Sequence, residues 1–158
     1  MLPYLSVMRT LSLVIAFTFL CFEFSVKAQT PIISDPPSGT LDGVNILSGT
    51  SVIIQLRSPS KQYVYLKGDF NSFSESANSL MKISTDGNSH WLQINNLNPG
   101  TYYRYFFLVE GELEIGDPYS ELILDPWNDG YIPQVNFPGM PQYPTGIASV
   151  PIGTFRTD

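Results

Sequence analysis

Cysteine and histidine are almost absent from this sequence of 158 residues, which contains one of each. Cys21 lies in an N-terminal segment that we expect to be removed, so we predict a mature domain held by its core, without disulfides. A catalytic triad, a histidine-based zinc site or a cysteine–histidine pair would have to use His90. His90 follows an Asp-Gly-Asn-Ser turn, which is typical of a solvated loop residue. We therefore predict no catalytic histidine, no cofactor and no metal.

Basic residues are also scarce, with 8 Lys and Arg against 14 Asp and Glu, a formal net charge of −6. A surface of this sign repels phosphate groups, so nucleic acids and anionic membranes are poor partners. Neutral sugars and other proteins remain open as partners. The sequence contains neither a Gly-rich phosphate loop nor an EF-hand spacing.

Long apolar runs are absent except for one near the N-terminus, at residues 11–22. A basic residue precedes this run, and the small residues Val26 and Ala28 stand at positions −3 and −1 of a cleavage site. This pattern predicts a secretory signal peptide over residues 1–28. A membrane anchor is the alternative, but it needs about 20 apolar residues, and Glu23 interrupts the run. We therefore expect export to the periplasm, the cell surface or the medium, with no membrane contact after cleavage.

The remaining sequence is rich in turn-forming and aromatic residues, since the chain has 13 Pro, 12 Gly, 9 Tyr and 10 Phe. Short β-branched or aromatic runs alternate with turns, and no helix pattern of useful length is present. We count six or seven such runs, spaced by roughly 8–12 residues. The predicted fold class is therefore all-β, an immunoglobulin-like β-sandwich over residues 29–125.

The longest strand candidate is the run TYYRYFFLV at residues 101–109. Alternation places its side chains on two opposite faces of the strand. One set contains Arg104, so we predict that the other set faces the core: Tyr103, Tyr105, Phe107 and Val109.

Residues 126–158 change character, with six prolines and aromatic residues at no regular period. A structureless segment of this length is uncommon inside a compact domain, whereas disordered tails are normally poor in aromatic residues. We interpret residues 126–158 as an irregular, Pro-rich linker that lies against either the sandwich or another domain.

Residues 116–133 contain four carboxylates: Asp117, Glu121, Asp125 and Asp129. A glycoside hydrolase needs two carboxylates about 5–9.5 Å apart across the scissile bond. Two of these four precede proline, however, and Asp-Pro is typical of a turn in which Asp bonds to the nearby backbone. We therefore predict that the aspartates shape turns, and we assign no catalytic residue in the chain.

Aromatic side chains offer a second kind of site, because sugar rings stack on exposed aromatic faces. The candidates for glycan contact are Phe73, Trp91 and Trp127. Core packing is the competing interpretation for rings on alternating strands.

Two runs resemble a known family. VYLKGDFNSF at residues 64–73 resembles the V-Y-x-x-G-D-F-N-x-W signature of the amino-terminal sandwich of alpha-amylase family glycoside hydrolases (family 13). That sandwich is an E-set domain related to carbohydrate-binding module family 48. DPYSELILDPWNDGYIP at residues 117–133 is similar to a run that leads into the catalytic (β/α)8 barrel in secreted members of Bacteroidetes type. The resemblance extends over nearly the whole mature chain.

The resemblance implies a non-catalytic accessory domain of a secreted hydrolase acting on alpha-glucans such as starch or glycogen. A catalytic barrel would then follow residue 158, and the family's catalytic residues would lie on it. The residues expected to contact the barrel are Asp117, Tyr119, Asp125, Trp127, Asn128, Asp129 and Tyr131.

Three positions depart from the glycan-binding members of the family. Phe73 and Glu114 stand where those members carry stacking tryptophans, and Phe106 stands where they carry a lysine. The resemblance therefore supports the fold more than it supports sugar binding. A free-standing starch- or glycogen-binding module is the alternative, and a non-carbohydrate interaction protein is a third possibility, because one fold carries many functions.

Overall fold

The computed structural model describes residues 30–133, 138–139, 141–147 and 150–158. The predicted signal peptide lies outside these ranges. Within them, two short 3₁₀ helices occur at Asp69–Asn71 and Asp129–Tyr131, and neither approaches the length of a membrane span. The described strands are β1 (Gly43–Ser48), β2 (Ser51–Arg57), β3 (Val64–Gly68), β4 (Lys82–Ile83), β5 (Ser89–Ile94), β6 (Tyr102–Val109), β7 (Leu113–Ile115), β8 (Leu122–Leu124) and β9 (Ile152–Arg156).

The strands form two antiparallel sheets. The first sheet has the order β1-β2-β5-β4, and the second has the order β3-β6-β9-β8, with β7 also paired to β6. The prediction of an all-β, immunoglobulin-like sandwich is confirmed.

The main core lies between the two sheets. The residues of β6 that were predicted to face it are all buried, and β2 of the first sheet contributes Val52, Ile54 and Leu56 opposite them. Burial of large apolar side chains from both sheets is the main stabilising term in a domain without disulfides. The buried β6 residues are Tyr103, Tyr105, Phe107 and Val109.

The opposite face of β6 is also largely covered, which alternation around Arg104 did not predict. Phe106 and Leu108 of this face are 1% and 4% exposed. Arg104 also lies on this face, where its guanidinium is paired with the Asp69 carboxylate at an Nη2–Oδ1 distance of 2.7 Å. A second cluster, which we call the outer cluster, consists of buried Phe106, Leu124, Val150 and Ile152, with Phe73, Tyr143 and Ile147 packed against them.

Strand β9 corrects the predicted end of the sandwich at residue 125. Ile152–Arg156 was assigned to the linker, but it lies between β6 and β8 in the second sheet. Its pattern is hard to recognise in the sequence because Gly153 occupies a core-facing position. A Cβ at Gly153 would lie 3.0 Å from the Tyr105 ring, so a larger residue would need this ring to move by a few tenths of an ångström.

We predict that Phe155→Ala lowers the free energy of unfolding by about 3–5 kcal/mol. Phe155 is 7% exposed, and its ring stacks on Tyr103 with centroids 5.5 Å apart. Urea unfolding followed by circular dichroism measures the change. Tyr131→Ala, at a residue that is 86% exposed, is the control and should change stability by no more than about 0.5 kcal/mol. Equal effects of the two substitutions would place β9 outside the cooperative unit.

His90 differs from its expected position as a solvated loop residue. It lies on β5 and is 0% exposed, with Nδ1 2.7 Å from Ser58 Oγ. Its Nε2 is buried and has no hydrogen-bond partner by geometry among the described residues. Desolvation lowers the pKa of His90, outweighing the opposite effects of the Gln62 backbone and the charge of Glu110.

We predict that His90 makes the protein less stable as the pH falls from about 7 to about 5. The unfolded chain protonates His90 near its ordinary pKa of about 6.5, whereas the folded chain does so only at lower pH. The unfolded state therefore binds more protons in this range, and stability is lost as pH falls through it. Urea unfolding at several pH values measures the slope. His90→Gln removes the titrating group and should reduce the slope; an unchanged slope would contradict the assignment.

Candidate functional site

Residues 116–133 contain the positions that were expected to contact another domain. In the structure, the aspartates of this segment bond within the protein, whereas its aromatic rings lie on the surface. Asp117 is 0% exposed. Its carboxylate accepts hydrogen bonds from the Tyr105 hydroxyl at 2.5 Å and from the Tyr119 backbone N–H at 2.8 Å. Burial raises the pKa of Asp117, although both hydrogen bonds act in the opposite direction. Asp117 therefore joins this segment to β6 inside the sandwich, which corrects its assignment as a contact residue.

The next two aspartates shape a tight turn, as the Asp-Pro sequence predicted. The Asp125 carboxylate accepts from the Trp127 backbone N–H at 2.8 Å and from Asn128 Nδ2 at 2.5 Å. Asp129 in turn accepts from the Asp125 backbone N–H at 2.8 Å. The hydrogen bonds that the Asp125 carboxylate accepts, above all the one from the Asn128 side chain, lower the pKa of Asp125. The Asp125 and Asp129 carboxylates both accept hydrogen bonds within this turn, as expected of residues that shape a turn.

The rings of the same segment lie on the surface. Large apolar side chains in contiguous exposed patches mark contact sites more often than isolated ones do. Five such side chains occur within residues 119–132, and we call them the exposed segment residues: Tyr119 (45% exposed), Ile123 (42%), Trp127 (58%), Tyr131 (86%) and Ile132 (40%).

Trp91, a second candidate for glycan contact, is packed inside the protein. It is 5% exposed, and its indole N–H donates to the Ser34 carbonyl at 2.6 Å. Lys82 Nζ lies 4.4 Å from the centre of its ring. A sugar ring cannot stack on Trp91 in this arrangement, so core packing is the better interpretation.

Phe73, the third candidate, lies on the outer face of the second sheet. Its ring stacks on Phe106 with centroids 5.9 Å apart and planes 20° apart. Lys67 Nζ is 5.4 Å from the centre of the Phe106 ring and forms ion pairs with Glu75 at 3.2 Å and Glu114 at 3.6 Å. Lys67 thus contacts Phe106 and Glu114, two of the three positions that depart from the glycan-binding pattern. Sequence reasoning missed this lysine, although it stands within the run VYLKGDFNSF.

Part of the C-terminal segment covers this outer face. The Tyr143 hydroxyl donates to the Val150 carbonyl at 2.8 Å and accepts from the Val150 N–H at 3.1 Å. Arg104 Nη1 donates to the Gln142 carbonyl at 2.6 Å. Tyr143 and Ile147 pack against the outer cluster, of which Val150 is a member. Of the two surfaces considered for residues 126–158, the sandwich is therefore the one that these residues contact.

A groove of about 340 Å³ lies beside the hairpin that joins β6 and β7. It is lined by Leu108, Gly111 and Val150 and by three carboxylates, Glu75, Glu112 and Glu114. No group of three or more His, Cys, Asp or Glu in the described ranges is arranged to hold a metal ion.

We predict that the two tryptophans of the chain respond differently to acrylamide. Trp127 is 58% exposed and Trp91 is 5% exposed. Trp127→Phe should therefore remove most of the quenchable fluorescence and leave a blue-shifted emission with a several-fold smaller quenching constant. Tyr131→Phe is a control that changes a neighbouring exposed ring and keeps both tryptophans. Equal quenching of the wild type and Trp127→Phe would mean that Trp127 is not accessible.

Comparisons with known proteins identify no family for the chain. No family model matches the sequence, and no curated protein matches it. Among solved structures, the chain is similar to a protein from Salmonella typhimurium that is provisionally described as an alpha amylase. The two are 22% identical with a TM-score of 0.40, and the match covers 50% of this chain and 12% of that one. A likeness of this level establishes neither family nor function.

Proposed function

We propose that this chain is a non-catalytic accessory domain of an exported alpha-amylase-like glycoside hydrolase acting on alpha-glucans, and that the exposed segment residues dock on its catalytic barrel. The observation that carries the proposal is that the aspartates and the aromatic residues of this segment have different surroundings. Its aspartates are used in local hydrogen bonds, whereas Trp127 and Tyr131 are exposed. The resemblance of residues 64–73 and 117–133 to the accessory sandwich of that family supplies the identity of the partner.

The docking role has a physical basis. Buried Trp and Tyr side chains account for much of the binding energy at protein interfaces. Association is also less costly when the binding loop is already ordered. The turn at residues 125–129 meets this condition. The Asp129 carboxylate accepts from the Asp125 backbone N–H, and the Asp125 carboxylate accepts from the Asn128 side chain. The barrel would therefore meet a preformed surface around Trp127.

The same hydrogen bonds support the non-catalytic part of this proposal. Asp117 is buried against Tyr105, and Asp125 accepts from its own turn. A retaining or inverting mechanism needs two carboxylates on either side of a substrate, and these two do not face one. The purified chain should release no reducing ends from soluble starch.

A free-standing starch- or glycogen-binding module is the second candidate function. The observation that favours it is the exposure of Trp127, which could stack on a sugar ring in place of a barrel surface. The two functions differ in the partner that Trp127 meets, so one variant tests both.

The first test is the coding sequence downstream of residue 158, followed by binding of the expressed barrel to this chain. We expect a barrel-coding frame and a complex measurable by calorimetry. Trp127→Ala with Tyr131→Ala should weaken it by roughly 1,000-fold, since two hot-spot side chains that contribute about 2 kcal/mol each give about 4 kcal/mol together.

Ile33→Ala is the matched control, because Ile33 is 70% exposed and lies beside β4 at the far edge of the first sheet. It should bind the barrel as the wild type does. A gene that ends without a barrel, or a complex unaffected by the double substitution, would overturn the docking proposal. Retardation of the wild-type chain in gels containing soluble starch, lost in Trp127→Ala, would instead support the binding module.

A further inference from the structure

We propose that the open side of the sandwich, between β1 and β8, binds an extended basic segment of the catalytic barrel, which pairs with β1. The site is a groove of about 530 Å³ that is lined by side chains from both sheets. The choice of the barrel as the source of the segment rests on the proposed function. The site itself rests on the sheet edges, the exposed side chains and the charges of this chain.

One side of the sandwich is closed by the chain itself. β3 and β4 are the edge strands of the two sheets on this side, and residues 79–83 run from one to the other. The Met81 N–H donates to the Val64 carbonyl of β3 at 2.9 Å. The Ser34 N–H donates to the Ile83 carbonyl of β4 at 2.8 Å. Both of these edges are therefore covered, and β1 and β8 border the opposite side.

On that opposite side, β1 has an open edge. Within the described ranges it pairs with β2 alone, and its sequence, GVNILS, contains neither a charged residue nor a proline. Natural edge strands are normally protected by charge, proline, short length or a covering segment. Ile46 and Leu47 are each 52% exposed. Because the β1–β2 register shifts between Ile46 and Ser48, the stretch that a further strand can pair with is Gly43–Ile46.

The groove beside β1 offers apolar surface to the side chains of such a strand. Val44 and Ile46 of β1 line it, together with Tyr102 of β6 and Tyr119, which precedes β8. Ile46, Tyr102 and Tyr119 are all exposed to solvent. Alternate side chains of a strand point to the same face of a sheet. A strand added to β1 would therefore direct every second side chain into this groove.

The charges of the groove favour a basic segment. Asp42, Glu121 and Asp158 line the groove together with one cation, Arg156. The Arg156 guanidinium lies 5.5 Å from the centre of the Tyr102 ring, and its Nε is 3.7 Å from Asp158 Oδ1. Three carboxylates against one cation leave the groove with a negative potential. Such a potential attracts a Lys or Arg side chain of the incoming segment.

A second copy of this chain fits the open side less well than the barrel does. The β1 strand of a second copy carries no basic residue, and a symmetric pair would bring two acidic grooves together. The barrel is favoured because Tyr119, one of the exposed segment residues, also lines the groove. A partner that covers the exposed segment residues therefore reaches the open side of the sandwich.

The experiment measures, by calorimetry, the binding of the expressed barrel to variants of this chain. Ile46→Lys places a cation at the free edge and in the groove, and we expect it to weaken binding at least about tenfold. Leu113→Lys is the matched control. Leu113 is 56% exposed on β7, a strand that contributes no residue to the lining of this groove. Leu113→Lys should bind the barrel as the wild type does.

Glu121→Gln tests the charge of the groove with little risk to folding, because Glu121 is exposed. The affinity of the wild type for the barrel should fall as salt is raised, since salt screens the attraction between exposed charges. Glu121→Gln should make this fall less steep. Glu112→Gln is the control, because Glu112 is also exposed but lines the groove beside the β6–β7 hairpin. It should keep the salt dependence of the wild type.

Hydrogen exchange in the complex tests the pairing with β1 directly. The amides of Gly43–Ile46 that face the free edge should exchange more slowly when the barrel is bound, because they then donate to a partner strand. Exchange in β1 that the barrel leaves unchanged would contradict the pairing. A dimer of this chain alone that Ile46→Lys dissociates would also contradict the proposal, since the occupant would then be a second copy.

Failure of this site is distinguishable from failure of the docking function. A barrel that loses affinity with Trp127→Ala and Tyr131→Ala, but binds Ile46→Lys as it binds the wild type, would refute the β1 site and leave the docking function intact. A barrel that does not bind the wild type at all would refute both.

Discussion

The need to bury both faces of β6 organises this protein. β6 pairs with β3 along one edge and with β7 and β9 along the other, so a large part of the second sheet is built on it. Its core face carries Tyr105, whose hydroxyl reaches buried Asp117, and its outer face carries Phe106. A single sandwich can bury only the core face, because only one side of each sheet meets the other sheet. The outer face therefore requires a further layer, which the residues around Tyr143 and Val150 supply.

This arrangement separates two surfaces with different chemistry. Asp117 ties residues 117–133 to β6, and the turn at Asp125 presents Trp127 to solvent in an ordered loop. On the outer face, by contrast, aromatic rings are covered by the chain itself. An exposed rigid aromatic surface suits a protein partner, because little entropy is lost when it is buried. The covered rings of the outer face are instead part of the packing that stabilises the second sheet.

Sequence reasoning was most successful where one physical requirement acts locally. Alternation along β6 identified the core face, because a residue and its second neighbour point to the same side of a strand. Asp before Pro identified the turns, since the carboxylate bonds to backbone groups a few residues away. Sequence reasoning failed where the exposure of a side chain depends on segments that are distant in the chain. His90 and Trp91 are buried by strands and loops remote in sequence, and β9 is recognisable only beside Tyr105, whose ring lies close to Gly153.

The sequence by itself determined the all-β class, the core face of the longest strand and the turn-forming role of Asp125 and Asp129. Each depends on residue type and short-range spacing, which do not change with the rest of the fold. Only the tertiary structure decided that the sandwich extends to Arg156, that Asp117 is interior, and that Lys67 joins Phe106 to Glu114. These features depend on which segments meet in the fold, and contact between residues 12 or more positions apart leaves no period in the sequence. Exposure distinguishes Trp127 from Trp91 for the same reason: identical side chains acquire different roles from the surfaces packed around them.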